Sequence, residues 1–330
     1  MQFYGQERVI YKGSKITSDT TYIRDLADKF IVKVFVDNKI DTYNYSFKDS
    51  GEFYELMPNV NSKISLSLDY EIIAFSVSVP KKWSPFQIDE ELKGKTKDLS
   101  FAFGLFLNKW YQNFYFSDTK GYYIANTVNV QGWKQGIDPP YILLPNYRAR
   151  KLEGTTSYII NGNKFSYRSF LYETQIQRKS AGSLIPSLAY SYLYQSDENQ
   201  ESKYEYKGNI FTFMCTMAYQ YNWVLSRSFY LSGGLIIGGG IRNSHETQNI
   251  EDNKEKTVYN SFSNTLGFNA NVNYQTGNLF AGLKTIVTGT TAKQDASSNI
   301  NNTIAYGIAY LGYRFDAPHL ISKTYNRIIK

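Results

Sequence analysis

His245 is the histidine with reactive company: Ser244 precedes it and Glu246 follows. Serine, histidine and carboxylate are the parts of an acyl-transfer site, in which the imidazole takes the hydroxyl proton and the carboxylate orients the ring. Adjacent residues of an extended chain point to opposite sides, so this triplet does not meet as a triad through local geometry. The other histidine, His319, lies in the C-terminal tail. The single cysteine, Cys215, is flanked on its own parity by Phe213 and Met217. A small hydrophobe is its expected role, and no intrachain disulfide can form. Asp252 and Glu255 could hold calcium only incidentally, since no twelve-residue calcium loop surrounds them. No His/Cys/Asp/Glu cluster has metal-ligand spacing. The expectation is a chain with no catalytic, cofactor or metal site and no enzymatic activity.

The elements that carry these residues have a strong period of two. In Val258–Gln275 the apolar set Val258, Phe262, Leu266, Phe268, Ala270, Val272 and Tyr274 alternates with Ser261, Ser263, Thr265, Gly267, Asn269, Asn271 and Asn273. One greasy face and one wet face over that length exceed what a typical globular strand of about five or six residues shows. They suit a strand crossing a bilayer, which needs roughly nine to eleven tilted residues with a polar lumen side.

Composition agrees. Aromatic residues make up 17% of 330, with 30 Tyr against 21 Phe and 4 Trp, and tyrosine suits the membrane interface. Mean hydropathy is −0.42, and no window approaches eighteen consecutive apolar residues, which excludes a helical span but not a barrel. The formal charge is +7. Its basic residues fall in candidate loops such as Lys81–Lys82, Lys93–Lys97, Arg148–Lys151 and Arg178–Lys179 rather than in one stripe. Solvation, with attraction to anionic headgroups, is expected, and nucleic-acid binding is not. The start Met1-Gln-Phe-Tyr-Gly-Gln shows no signal peptide, so a mature or truncated form is expected.

Parity along the chain predicts an all-β fold, a transmembrane antiparallel up-and-down barrel of twelve strands: 31–43, 58–69, 72–79, 98–107, 110–118, 164–177, 184–195, 208–223, 228–243, 258–275, 279–292 and 303–315. Joins of two classes alternate. Long ones cover about 44–57, 80–97, 119–163, 196–207, 244–257 and 293–302, and the others are short turns. Short turns belong to the periplasmic side and long loops to the outside. The expected organisation is a periplasmic segment 1–30, a barrel 31–315 including a long extracellular loop 119–163, and a periplasmic tail 316–330. Leu66, Phe101, Phe213, Phe268 and Leu283 are expected to face lipid. The glycine run 233–240 lacks phosphate-loop spacing and is read as relief of crowding in a coiled strand.

Several phrases then fit together: Asn163-Lys-Phe-Ser-Tyr-Arg-Ser-Phe, Gln175-Ile-Gln-Arg-Lys-Ser-Ala-Gly-Ser-Leu184, Lys120-Gly-Tyr-Tyr-Ile124, Tyr219-Gln-Tyr-Asn-Trp-Val224 and Tyr313-Arg-Phe-Asp-Ala-Pro318. With Tyr70–Val79 and Asp98–Trp110 they resemble the DUF4421 family of Bacteroidetes outer-membrane barrels, over roughly residues 30–318. The resemblance implies fold and location and transfers no catalytic residue.

Within the phrase around Arg178–Ser183, Gly182 is expected at positive φ in a tight turn. Glu173 should face the lumen and need company there, with Arg168 and Arg178 as charge candidates if curvature or a bulge brings them inward; an ion-pair network plugging the periplasmic end, or a ligand or ion path, is expected. Phe106, Phe170 and Tyr310 could intrude into the lumen. The Trp133–Tyr147 stretch, with Pro139, Pro140 and Pro145, asks for burial as a lid, a plug or a partner surface. Two functional expectations follow: a narrow channel for small polar solutes, or a structural or partner-binding barrel of an envelope complex. Outer-membrane lipids and lipopolysaccharide are expected contacts, with protein partners through 1–30, 119–163 or 316–330.

Overall fold

The computed structural model describes residues 18–329, apart from 27, 48–50, 61, 81–88, 200–203, 251–252 and 294–297. The 1–17 part of the N-terminal segment, Lys81–Lys82 and Asp252 therefore lie outside the described residues. In chain order the strands are β1 (Ile23–Asp25), β2 (Lys29–Phe47), β3 (Glu52–Pro58), β4 (Lys63–Tyr70), β5 (Ile73–Pro80), β6 (Lys97–Leu107), β7 (Trp110–Ile124) and β8 (Ile142–Tyr158). They continue with β9 (Gln175–Gln177), β10 (Ala181–Asn199), β11 (Tyr204–Val224), β12 (Phe229–Ile250), β13 (Asn253–Thr276), β14 (Leu279–Lys293) and β15 (Ser298–Asp316). Short helices α1 (Glu90–Lys93) and α2 (Tyr167–Leu171) and the terminal helix α3 (His319–Ile329) complete the set.

Twelve strands close an antiparallel circuit, β2–β4–β5–β6–β7–β8–β10–β11–β12–β13–β14–β15, and β15 pairs back onto β2 from Asp316↔Lys29 to Ser298↔Phe47. No described helix is long and apolar enough to cross a membrane, and the strands do the crossing. The alternation falls as expected: Leu66 and Phe101 are each 41% exposed, Phe213 45%, Phe268 47% and Leu283 62%, while Asn271 and Asn273 on the other parity are 1% and 0%. A wall with greasy side chains outside and amides inside is stable only with lipid around it. The protein is an outer-membrane barrel, with both termini on the short-turn, periplasmic side. The turns there are tight, and Asn108 (φ 59°) and Gly277 (φ 56°) supply the positive φ that two-residue hairpins need.

The sixth wall strand is β8, residues 142–158, and not 164–177. Residues 119–163 are consequently no single loop: β7 runs on to Ile124, the outer excursion covers 125–141, and β8 follows. Charge hid β8. Arg148 donates through Nε to Asp118 Oδ1 at 2.6 Å, and Arg150 Nε lies 3.4 Å from Asp118 Oδ2, across the β7–β8 ladder. Such pairs break an apolar alternation without breaking backbone pairing. The loops expected over 196–207 and 244–257 shrink for the same reason. β12 and β13, of 22 and 24 residues, pair as far as Ile250↔Asn253, beyond any hydrocarbon layer, where both faces are polar.

The wall divides near its outer end. β2 pairs with β4 over Phe30–Asp37 but with β3 over Tyr43–Phe47, and β3 then reaches β7 at Tyr122–Ile124. A bulge at Gly121 (φ +92°) allows this, where a Cβ would lie 2.1 Å from Lys95 O. Beneath the division, buried Lys63 pairs with Asp98, whose other oxygen accepts from Thr119 Oγ1 at 2.5 Å. Inside, Tyr43, Leu56, Tyr122, Tyr147, Leu193 and Ile210 form an apolar cluster.

Leu283→Arg is expected to destabilise the barrel by about 2–4 kcal/mol, and Val258→Arg, on the outer extension, by about 0–1 kcal/mol. Equilibrium unfolding from lipid vesicles measures both.

Candidate functional site

The connection from β8 to β10 turns into the periplasmic mouth and fills it. Ser166 begins α2, its Oγ accepting from Ser169 N at 3.0 Å and donating to Gln175 Oε1 at 2.6 Å. A five-residue helix cannot persist alone, and this one is held from outside itself. Asn222 Nδ2 donates to Ser166 O at 3.0 Å, and Tyr230 Oη to Ser169 O. Gln177 Nε2 donates to Lys164 O at 2.6 Å and Lys179 O at 2.9 Å, clasping both ends of the segment. β9 pairs antiparallel with β1 (Ile23↔Gln177 to Asp25↔Gln175), so the N-terminal segment is part of the plug. Asp19 N donates to Asn163 O at 2.8 Å, and Arg178 N to Tyr22 O at 2.7 Å. Hydrogen bonds from Thr21 hold the Asp19 carboxyl below its usual range.

The plug is locked by charge. Lys33 Nζ, on β2, lies 2.7 Å from Glu173 Oε2, and the two side chains are 7% and 1% exposed. Arg314, on β15, donates through Nη2 to Glu173 O at 3.2 Å and to Gln275 Oε1 at 3.2 Å. Lys284 Nζ, on β14, reaches Leu171 O at 3.3 Å and stands 4.9 Å from the Phe170 ring centroid, within cation–π range. Buried Asp69, on β4, accepts from Ser67 Oγ at 2.9 Å and adds a second carboxylate. Arg168 donates through Nε to Thr174 Oγ1 at 3.0 Å and through Nη2 to Glu71 O. The Tyr111 and Tyr172 hydroxyls meet at 2.7 Å. Glu173 adopts φ 58°, a conformation that costs a non-glycine residue about 1–3 kcal/mol. It is held there by its carboxylate on Lys33 and its carbonyl on Arg314.

Glu173 thus has the company it was expected to need, from Lys33, while Arg168 is buried and lies 4.0 Å from Asp25 Oδ2 instead. Arg178 is exposed, and among the described residues its side chain bonds Thr20 O at 3.0 Å. Phe106, Phe170 and Tyr310 are all buried inside the barrel. Gly182 is within β10 and has no positive φ; a Cβ there would lie 2.5 Å from Tyr221 Cδ2, so space is what requires glycine. The stretch Trp133–Tyr147 divides: its first part lies outside the lumen, where Trp133 Nε1 closes a local turn on Pro139 O at 3.0 Å and Ile137 is 79% exposed, while Tyr147, on β8, is buried in the inner apolar cluster. Sequence alone missed Lys33, Lys284 and Arg314, each an inward charge on an otherwise apolar-alternating strand, which is the signal that would have found them.

Ser244 and His245 stand on opposite faces of β12, Ser244 buried inward and His245 exposed outward between Asn209 and Val258 in the ladder. His245 is therefore a wall residue rather than part of a loop. His319 is exposed at the start of α3, and Cys215 faces lipid. No group of three metal-ligating side chains gathers among the described residues.

Glu173→Leu is expected to cost about 3–5 kcal/mol by stranding Lys33 in a buried site, and Lys33→Met with Glu173→Leu to recover most of that. Hydrogen exchange of residues 164–177 reads the difference directly.

Several solved structures align with the chain at low identity. The Escherichia coli outer membrane protease OmpT is 8% identical, covering 88% of this chain and 98% of that one, with a TM-score of 0.44. A Pseudomonas aeruginosa FadL homologue is 11% identical, covering 88% and 92%, with a TM-score of 0.29. The Yersinia pestis ferric yersiniabactin uptake receptor FyuA is 11% identical, covering 84% and 43%, with a TM-score of 0.30. No curated protein matches the sequence. A family model described as a domain of unknown function, DUF4421, matches residues 17–315, the whole barrel with the plug and its N-terminal strand, and the chain belongs to that family.

Proposed function

We propose that this outer-membrane barrel is a closed, non-enzymatic, partner-binding module and not a standing pore. One observation carries the reading: the 159–180 segment occupies the periplasmic mouth and is bonded to inward side chains of β2, β11, β12, β14 and β15. A pore for small solutes needs a continuous polar path. Here that path meets a folded element whose buried residues include Ser169, Glu173 and Phe170. The plug is continuous with the N-terminal strand, and α3 leaves the same end, so the periplasmic face offers a structured platform for an envelope partner.

A second reading rests on the chemistry of the lock. Beside the apolar cluster of Phe106, Tyr111, Ile159 and Phe165, the plug is held by hydrogen bonds and ion pairs, and these polar contacts can be exchanged for water when the segment moves. Release of the plug would then open a conduit lined on β13 by Ser, Thr and Asn. In a planar bilayer the intact chain is expected to show no steady conductance, and deletion of 164–177 to produce open-channel currents. Steady conductance by the intact protein would sink the closed-module reading. Purification in mild detergent is expected to retain a periplasmic protein partner, and retention should be lost when residues 1–26 are removed.

A further inference from the structure

The terminal helix α3 lies against a turn that the plug also holds. As the chain leaves β15 it is tied to the start of β2, where Ala317 N donates to Asp28 O at 3.3 Å and Lys29 pairs with Asp316. It then passes β2 and reaches the β4–β5 turn on the far side. One face of α3 docks there: Ile321, Ser322 and Tyr325 are half-buried, whereas Lys323, Thr324 and Arg327 are exposed. The Tyr325 ring meets the Tyr70 ring edge-on, with centroids 5.3 Å apart. It also packs against the apolar cluster that includes Ile72, Phe106, Ile159 and Phe165. Burial there, beside Glu71 and Ile72, pushes its phenol up to about 12.

The same turn is gripped from the lumen side. Glu71 takes φ 54°, a left-handed conformation that a non-glycine residue keeps only when its surroundings fix it. Its carbonyl accepts from Arg168 Nη2 of the plug, and the Ile72 carbonyl accepts from Phe106 N at 2.8 Å. Arg168 in turn donates through Nε to Thr174 Oγ1 at 3.0 Å and stands 5.4 Å from the Phe106 ring centroid. Glu71 and Ile72 therefore lie between a side chain of α3 and a side chain of the plug. This hold is separate from the one that Lys33 and Arg314 exert on Glu173. A helix of 11 residues is marginal alone in water, so α3 forms by docking, and Tyr325 is its contact with both turn and cluster. We propose that α3 is a strap: docked through Tyr325, it fixes the β4–β5 turn on which Arg168 holds the plug, and undocking it loosens the plug at that end. The strap rests on the closed state of the proposed function, but its readout is hydrogen exchange, so it is tested apart from conductance and from any partner.

The test compares hydrogen exchange, which reads local opening, in the full chain and its variants reconstituted in lipid vesicles. Exchange of residues 164–177 should rise about two- to tenfold in Tyr325→Ala, the range set by an edge-to-face aromatic pair, while β13 keeps its protection. Lys323→Gln with Arg327→Gln, on the undocked face, should leave the plug unchanged. Arg168→Met should speed plug exchange by itself. Tyr325→Ala added to it should contribute less than about a twofold further rise, because the route between the two is already cut. Should Tyr325→Ala fail to fold, Tyr325→Leu keeps apolar bulk and should give a smaller rise in the same segment. Plug exchange unchanged in the folded Tyr325 variant, an equal rise in β13, a rise as large in the Lys323/Arg327 control, or effects that multiply in full with Arg168→Met would each overturn the strap.

Discussion

In hydrocarbon no water is present to satisfy a backbone N–H or C=O, and each unpaired group costs several kcal/mol. The pairing of β15 with β2 is therefore the contact on which the molecule depends. Nineteen residues of β15, Ser298–Asp316, register against β2 and leave no free edge on either strand there. Closure also fixes the chemistry of both surfaces. Once the sheet is a cylinder, the period of two assigns every other side chain to lipid and the rest to an enclosed lumen. The inward residues then have to be satisfied by one another or by something placed inside.

The plug answers that demand at the periplasmic end. Lys33, Lys284 and Arg314 project inward from β2, β14 and β15, a cationic sector that would be costly in a dry interior. Glu173, Asp69 and the carbonyls of Leu171 and Glu173 supply the opposite charge and partial charge. The segment that brings them is folded by its own side chains, with Ser166 capping α2 and Gln177 clasping Lys164 and Lys179. Its position is set by wall residues that are themselves fixed in the sheet. Wall and plug are thus mutually required. A cationic wall without Glu173 would carry unpaired charge, and a five-residue helix without the wall would not form.

How much of this was legible in the sequence follows from which signal each element emits. β13 could be read almost completely, because every inward residue from Ser261 to Gln275 is polar or glycine and most outward ones are apolar. β8 could not, because Arg148 and Arg150 pair with Asp118 on a part of the wall where neither face needs to be greasy. The plug imitated a strand. Tyr167, Ser169, Leu171, Glu173, Gln175 and Gln177 share a parity, and a helix of five residues is too short to show a 3.6-residue period. That Glu173 needed a partner was legible from its polar, enclosed setting. That the partner is Lys33 was not, since the two are 140 residues apart and only closure of the cylinder brings β2 to face the plug.

The same closure explains why the N-terminal strand and the plug belong to one device. An even strand count returns both ends of the chain to the periplasmic rim, where β1 is the extended segment that enters the mouth. β1 pairs with β9 through only three residues, a ladder too short to hold by backbone bonds alone. Its side chains add to it: Asp25 accepts from Gln175 Nε2 at 2.9 Å, and Ile23 and Leu26 are buried. A continuous set of contacts therefore joins Ile23 to β9, and β9 through Glu173 to Lys33 and Arg314. The ion pair that holds the plug is thus joined to the N-terminal strand by a short, continuous and largely polar connection.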